Sequence, residues 1–181
     1  KVTWKNVPPT PEDITNFAKK VKEKRFRHSE KGKKILQNLD KEYLEFLSSF
    51  IPRPRRPLRV VVDCGSGCYS DLAPSFLRKL GYEIIPLFCE KDGTFPHRPP
   101  NPSQEGNLSA LSNKIKEKVA DAGIAFDGDG DRVVFADEKG GILKGEEGII
   151  FFLRNTLPHL PQGEKFVYDL KCSQIVPQEV K

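Results

Sequence analysis

The chain has 181 residues, a hydrophobic fraction of 37% and a net charge of +5, which are typical of one ordinary domain with extensions. No stretch approaches the ~18 apolar residues of a membrane span, and no apolar segment typical of a signal peptide opens the chain. The four cysteines form no CxxC pair, so we predict reduced, mostly packed thiols in a cytoplasmic protein without membrane contact.

The first part of the chain is basic and is predicted to be helical. Thr10-Pro11-Glu12-Asp13 is typical of a helix start, and apolar residues three and four apart predict a second helix from Ile35 to Phe50. The prolines of residues 51–57 predict an extended connector. No aromatic stacking pattern accompanies the positive charge, so we interpret it as a solvated helix face and linker and predict no nucleic-acid partner.

Strands and helices alternate after the connector. The predicted strands are residues 58–62, 83–88, 123–126 and a β-hairpin of 132–136 with 142–143. The predicted helices between and after them are residues 70–80, 108–119 and 146–157. The first two strands and their helix form a βαβ unit, which predicts a parallel sheet covered by helices. We therefore predict an α/β fold, a three-layer α/β/α sandwich with a mostly parallel mixed sheet, preceded by N-terminal helices.

The element pattern predicts three parts of unequal size. The full domain is predicted to span residues 58–160, and residues 1–57 to be the tail of a preceding domain with its linker helices. Lys165 to Leu170 is predicted to be a strand, so that residues 161–181 hold the first strand of a following domain. The absence of methionine indicates a sequence that begins inside a longer protein or after processing.

Asp127, Asp129 and Asp131 alternate with two glycines at the end of a predicted strand. At a separation of ~5–6 Å and an effective dielectric near 20, each close pair of carboxylates costs about 3 kcal/mol, which a hard divalent cation removes. In a straight strand the outer two would lie roughly 13 Å apart, too far for one ion. Because glycine reaches positive φ at little steric cost, we predict that the strand curls into a metal-binding loop at these three aspartates.

Other interpretations of the glycine- and aspartate-rich motifs stay open at this point. Gly65-Ser66-Gly67 invites a dinucleotide-binding interpretation, but the third glycine is missing and a tight turn is favoured. Asp127, Asp129, Asp131 and Glu138 match an EF-hand calcium loop, except that Arg132 stands where that loop needs glycine. Asp127 to Gly130 also fits the DxDG motif of haloacid-dehalogenase-like aspartyl-phosphate phosphotransferases, with Asp127 as nucleophile. A non-enzymatic divalent-cation-binding module is a further alternative.

Four segments resemble one enzyme family. Asp127 to Arg132 resembles the magnesium loop of the α-D-phosphohexomutases, the phosphoglucomutase/phosphomannomutase family. Further segments in the same order are similar to that family across about residues 58–176: they are residues 61–67, the DGTFP, PNP and Asn-Leu segment within 92–108, and Asp169-Leu170-Lys171-Cys172-Ser173. The chain departs from the family pattern at Cys68-Tyr69, His97-Arg98 and Gly106, which leaves the substrate and subfamily open.

The resemblance implies an enzyme, an intramolecular phosphotransferase of the isomerase class. Such enzymes interconvert hexose 1-phosphate and hexose 6-phosphate, of glucose or mannose, through a phosphoserine and a sugar bisphosphate. It implies Mg²⁺ at the three aspartates, a phosphosugar substrate, and a phosphoserine from a domain that the sequence does not contain. The fragment alone is therefore expected to show no turnover.

Two basic residues complete the predicted site. Arg132 is placed to form charge-assisted hydrogen bonds with the phosphoryl group, although a salt bridge to a neighbouring aspartate is an alternative. Lys171 resembles the family lysine that approaches the transferred phosphate, and its alternative is an ordinary lysine at a strand end.

Overall fold

The structure is a computed structural model that describes residues 7–25, 32–104 and 106–180. The chain divides into two compact units, Lys1–Asn38 and Leu39–Lys181. Helix α1 (Pro11–Lys22) belongs to the first unit and begins where the sequence predicts. The Thr10 hydroxyl accepts a hydrogen bond from the Asp13 N–H at 3.2 Å, and the Asp13 carboxylate accepts one from the Thr10 N–H at 2.9 Å. This reciprocal capping satisfies two N–H groups that a helix start leaves free.

The second unit is built around one mixed sheet. Its helices are α2 (Asp40–Phe50), α3 (Leu72–Leu80), α4 (Ser109–Lys118), α5 (Gly145–Thr156) and α6 (Ile175–Glu179). Its strands are β1 (Arg59–Asp63), β2 (Glu83–Leu87), β3 (Ala122–Phe126) and β4 (Val133–Ala136). The strand order is β2-β1-β3-β4; β1 pairs in parallel with β2 and β3, and β4 is antiparallel to β3. The predicted α/β class with a mostly parallel mixed sheet is confirmed.

Helices cover both faces of this sheet because alternate side chains of β1 enter different cores. Val61 packs in one cluster with Leu111 of α4, whereas Val60 and Val62 pack in another with Ala73 of α3. Successive side chains of a strand point to opposite faces, so an unbroken run of valines buried on both sides requires a layer on each face. The three layers are therefore α3, the sheet and α4, as the sequence predicts.

Two predicted elements are shorter in the structure. Helix α2 begins at Asp40 rather than Ile35, and Ile35 is 84% exposed. The second strand of the predicted hairpin is reduced to a single bridge between Ala136 and Ile142, which the Gly140-Gly141 turn brings together. The predicted helices after β1, β2 and β4 are confirmed with ends shifted by at most two residues.

The predicted strand from Lys165 to Leu170 is wrong. Residues 164–169 form no regular element, and Val167 and Leu170 are 90% and 98% exposed. A strand requires a hydrogen-bonded partner, and none of the four described strands pairs with this segment. The chain continues instead into α6, where Val176 is buried against α5. The domain boundaries after residues 57 and 160 stay predictions.

Among the helices that the structure describes, none combines the length and the apolar character needed to cross a membrane.

Candidate metal centre

The three aspartates of the acidic loop, residues 127–131, converge at the carboxyl end of β3. Asp127, Asp129 and Asp131 each offer a carboxylate oxygen, and these three atoms lie within 4.8 Å of one another. The Asp127 side chain is buried, while the other two are exposed. The loop is therefore curled and not extended, since a straight strand would separate its outer carboxylates by roughly 13 Å.

The donor set fits a hard divalent cation. Mg²⁺ holds oxygen ligands at about 2.0–2.1 Å, so two of its ligands lie at most about 4.2 Å apart. At most one pair among three ligands can be opposite, and adjacent ligands of an octahedral ion lie about 2.9 Å apart. A separation of up to 4.8 Å thus requires some of the carboxylate oxygens to close by up to about 2 Å, within the range that rotamer changes of the two exposed side chains can cover. Hard cations such as Mg²⁺ prefer charged oxygen donors, whereas softer metals prefer nitrogen or sulfur donors. The three carboxylates therefore favour a hard cation.

Neighbouring aromatic rings leave little room for a side chain at either glycine of the acidic loop. Gly130 has a φ of +75°, and a Cβ there would lie 2.7 Å from the ring of Tyr69. A Cβ at Gly128 would lie 3.0 Å from the ring of Phe95. Tyr69 follows β1 and Phe95 belongs to the proline-rich loop after β2, so aromatic rings from two other loops contact the acidic loop. The departure from the family pattern at Tyr69 is therefore part of the loop packing.

Backbone hydrogen bonds connect the same three segments. The Cys68 N–H donates to the Gly128 carbonyl at 3.1 Å, and the Gly128 N–H donates to the Pro100 carbonyl at 3.2 Å. A Cβ at Gly67 would lie 2.8 Å from the Gly128 oxygen, so glycine allows this approach. The Gly65-Ser66-Gly67 turn thus packs directly against the acidic loop, which explains Gly67 without a dinucleotide.

A buried ion pair supports the acidic loop, and the sequence reasoning missed it. Arg98 donates through Nε and Nη2 to the two carboxylate oxygens of Asp63 at 2.9 and 3.0 Å, and Nη2 also donates to the Phe126 carbonyl at 2.7 Å. Both side chains are at most 3% exposed. Burial raises the pKa of the Asp63 carboxyl, and the hydrogen bonds from Arg98 oppose that rise. The sequence contains one signal of this pair: Asp63 is an acidic residue at the end of an apolar strand, and a buried carboxylate needs a cationic partner.

Arg132 is tied to the acidic loop itself. Its Nε donates to Asp127 Oδ2 at 2.8 Å, its backbone N–H donates to Asp127 Oδ1 at 3.0 Å, and Nη1 donates to Asn101 Oδ1 at 3.0 Å. Burial disfavours the ionised Asp127 carboxyl, but the bonds from Arg132 prevail and hold its pKa below the usual value. The salt bridge that the sequence analysis gave as an alternative role for Arg132 is therefore present, on a side chain that is 53% exposed.

Lys171 lies in the segment between α5 and α6. It is exposed, and its backbone N–H donates to the Asp169 carboxylate at 2.8 Å. Among the described residues, no hydrogen bond or ion pair joins Lys171 to the acidic loop. Its predicted approach to a phosphate stays a prediction.

The chain is similar to known sugar-phosphate mutases. A family model described as phosphoglucomutase/phosphomannomutase, alpha/beta/alpha domain II, matches residues 41–141. A phosphomannomutase/phosphoglucomutase of Pseudomonas putida is 44% identical over 119 residues, which are 66% of this chain and 26% of that protein. A probable phosphoglucosamine mutase of Methanococcoides burtonii is 46% identical over 101 residues, which are 56% of this chain and 23% of that protein.

Solved structures give the same grouping. A phosphoglucomutase/phosphomannomutase family protein of Burkholderia thailandensis matches with a TM-score of 0.80 and 31% identity, over 95% of this chain and 37% of that one. A crystal structure described as a phosphomannomutase of Thermus thermophilus matches at 19% identity with a TM-score of 0.60, which supports the fold alone. The chain thus spans only a part of these relatives, between 23% and 37% of their length.

Proposed function

Because the chain belongs to the phosphoglucomutase/phosphomannomutase family, we propose that it provides the magnesium-binding part of an enzyme that interconverts hexose 1-phosphate and hexose 6-phosphate. The observation that carries the proposal is the convergence of Asp127, Asp129 and Asp131 within 4.8 Å. The substrate class is a phosphosugar, with glucose or mannose as the hexose. The phosphoryl group passes through a phosphoserine in a domain other than this one.

The acidic loop and Arg132 act on the same phosphoryl group. Bound at the three carboxylates, Mg²⁺ would neutralise charge on the transferring oxygens, which supplies much of the rate of phosphoryl transfer. A guanidinium has five N–H donors, and described residues engage Nε and Nη1 of Arg132. The half-exposed side chain thus retains donors for a phosphoryl oxygen beside the metal-binding loop. The proposed role of Lys171 rests only on the resemblance of residues 169–173 to the family.

The geometry weighs against the aspartyl-phosphate alternative. A nucleophilic Asp127 needs a carboxylate oxygen that is free to attack phosphorus. Both of its oxygens instead accept a hydrogen bond from Arg132, at 3.0 and 2.8 Å, and the side chain is buried. Such a carboxylate is fixed in orientation and keeps lone pairs for a cation, which suits a metal ligand.

Metal binding is tested by titrating the chain with Mn²⁺ and following free Mn²⁺ by electron paramagnetic resonance. We expect one site per chain from which Mg²⁺ displaces Mn²⁺, and at least about a tenfold loss of affinity in Asp129→Asn, because one charged ligand is removed. Glu138→Gln is the matched control: it neutralises an exposed acid near the loop that would be a ligand only in the EF-hand alternative. Equal affinities of wild type and Asp129→Asn would overturn the assignment.

The phosphosugar is tested by a second titration of the Mn²⁺-loaded chain, with glucose 1,6-bisphosphate as the probe. We expect the bisphosphate to perturb the Mn²⁺ signal, and Arg132→Gln to weaken this effect while leaving Mn²⁺ affinity within a few-fold. Arg154→Gln on α5 is the matched control. Normal Mn²⁺ binding without any response to the bisphosphate would instead support a non-enzymatic cation-binding module.

A further inference from the structure

We propose that Cys64 and Cys89 form an oxidative cross-linking site, at which a low-molecular-weight disulfide such as glutathione disulfide converts the two thiols into an intramolecular disulfide. The four cysteines are free in the structure, and the Sγ atoms of Cys64 and Cys89 lie 3.1 Å apart. Neither thiol has a part in the proposed metal or phosphosugar chemistry, so this inference stands independently of that function.

The sheet itself brings the two cysteines together. Cys64 directly follows β1 and Cys89 follows β2, and the register pairs Asp63 with Leu87. The pairing continues beyond the strands, because the Cys64 N–H donates to the Leu87 carbonyl at 3.1 Å and the Ser66 N–H to the Phe88 carbonyl at 2.8 Å. The register places Cys64 opposite Phe88, so Cys89 lies one position further along its strand. A strand spacing of ~4.8 Å and a rise of ~3.3 Å per residue give roughly 6 Å between the two Cα atoms, within the ~4.4–6.8 Å that a disulfide accepts. Only the side chains must move, by about 1 Å, to reach the bond length of ~2.05 Å.

The two thiols differ in access and acidity. Cys64 is fully buried, whereas Cys89 is half-buried and meets an oxidant first. The hydrogen bond shared with Cys64 lowers the pKa of the Cys89 thiol, which favours the attacking thiolate. The hydrogen bond with Cys89 is the largest cause of the raised pKa of Cys64, and burial is the next cause. This hydrogen bond is lost once Cys89 is modified. Cys89 is therefore the attacking residue and Cys64 the resolving one.

The reaction balances in two exchange steps. The Cys89 sulfur attacks one sulfur of glutathione disulfide, which gives a mixed disulfide and releases one glutathione that carries away the Cys89 proton. The Cys64 sulfur then attacks the Cys89 sulfur, forms the intramolecular bond and releases the second glutathione with the Cys64 proton. Two protein thiols are oxidised and one glutathione disulfide is reduced to two glutathiones.

The test is to equilibrate the full chain in glutathione buffers of different ratio, trap free thiols with N-ethylmaleimide, digest with trypsin and analyse the peptides without reduction. Cleavage after Arg59, Arg78, Lys79 and Lys91 places Cys64 and Cys68 in peptide 60–78 and Cys89 in peptide 80–91. We expect these peptides to be cross-linked with the loss of two hydrogens. The cross-link should persist in Cys68→Ser and vanish in both Cys64→Ser and Cys89→Ser.

The native arrangement, and not mere nearness in sequence, should drive the reaction. We expect the equilibrium constant for cross-linking to fall at least about tenfold when the chain is unfolded in urea, because the unfolded chain no longer holds the two thiols together. The proposal is overturned if Cys64 and Cys89 stay fully alkylated in buffers that glutathionylate the exposed Cys68. It is equally overturned if the cross-link survives Cys64→Ser, or if urea leaves its formation unchanged.

Discussion

Arg98 and Asp63 form a buried, doubly hydrogen-bonded ion pair at the end of the central strand β1, with N–O distances of 2.9 and 3.0 Å. The same guanidinium donates to the carbonyl of Phe126, the residue before Asp127. One side chain thus joins the turn after β1 to the base of the acidic loop. Loss of this arginine would leave a carboxylate in a site from which water is excluded.

We therefore expect Arg98→Met to lower the free energy of unfolding by about 3–5 kcal/mol, measured by urea denaturation. The double variant Asp63→Asn with Arg98→Met should recover part of this loss, because no buried charge remains. Arg154→Met is the matched control, since Arg154 also makes two bonds to one carboxylate, that of Glu179, but is 68% exposed. The buried pair has no special role if the two arginine variants lose equal stability.

Gly130 should tolerate a methyl group poorly. Its φ of +75° costs an L-residue roughly 1–2 kcal/mol, and a Cβ added there would lie 2.7 Å from the Tyr69 ring. We expect Gly130→Ala to lower the free energy of unfolding by at least this amount and to weaken Mn²⁺ binding, since the curl of the loop depends on this residue. Gly148→Ala, inside α5 with no atom within 4 Å of a Cβ, should instead stabilise by up to ~1 kcal/mol. Comparable losses in both variants would contradict the argument.

Val119 carries backbone strain that substitution should relieve. It ends α4 with φ and ψ both at 50°, a left-handed conformation that is costly for a β-branched residue, and its side chain is 80% exposed. We expect Val119→Gly to raise the free energy of unfolding by about 0.5–1 kcal/mol, because the relief of ~1–2 kcal/mol exceeds the chain entropy that glycine loses. Val119→Ala, which keeps a Cβ, should change stability little. Destabilisation by the glycine would show that the left-handed end is not strained.

Acid should loosen helix α6. A hydrogen-bonded ion pair with Arg154 lowers the pKa of Glu179 from its ordinary value of 4.5, and burial only partly opposes this. Because the pKa is lower in the folded chain than in the unfolded one, the pair stabilises the docking of α6 above pH 4.5 and this contribution is lost as the pH falls through the folded pKa. Amide hydrogen exchange of residues 175–179 should accelerate in that window, after correction for intrinsic rates. In Glu179→Gln the acceleration should be absent.

The core of the fold was predictable because its signals are local. The valine run of β1 and the apolar spacing of α4 give the type of each element and its position to within one or two residues. The acidic loop was predictable for a different reason, since three carboxylates interleaved with glycine have few explanations other than a cation. By contrast, the apolar segment from Lys165 to Leu170 has the composition of a strand, but a strand also requires a partner, which composition does not show.

The interactions that support the loop could not be predicted in this way. Arg98 lies 35 residues from Asp63 along the chain, and only the sheet order brings the proline-rich loop over the end of β1. The pairing of Cys64 with Cys89 depends on the register of two strands and not on either local sequence. Arg132 directly follows the aspartates in the sequence, but its contact with both oxygens of Asp127 depends on the curl of the loop.

The position of Asp63 on a strand that is hydrogen-bonded along both edges has a consequence for ion selectivity. A strand that is hydrogen-bonded on both sides is held more rigidly than an edge strand. Arg98 connects this strand to the start of the acidic loop through its hydrogen bond to the Phe126 carbonyl. Small divalent ions demand strict octahedral positions, whereas larger ones accept pliable cages. We therefore expect the rigidity around Asp63 and Arg98, several residues away from the proposed ligands, to favour a small ion in the acidic loop.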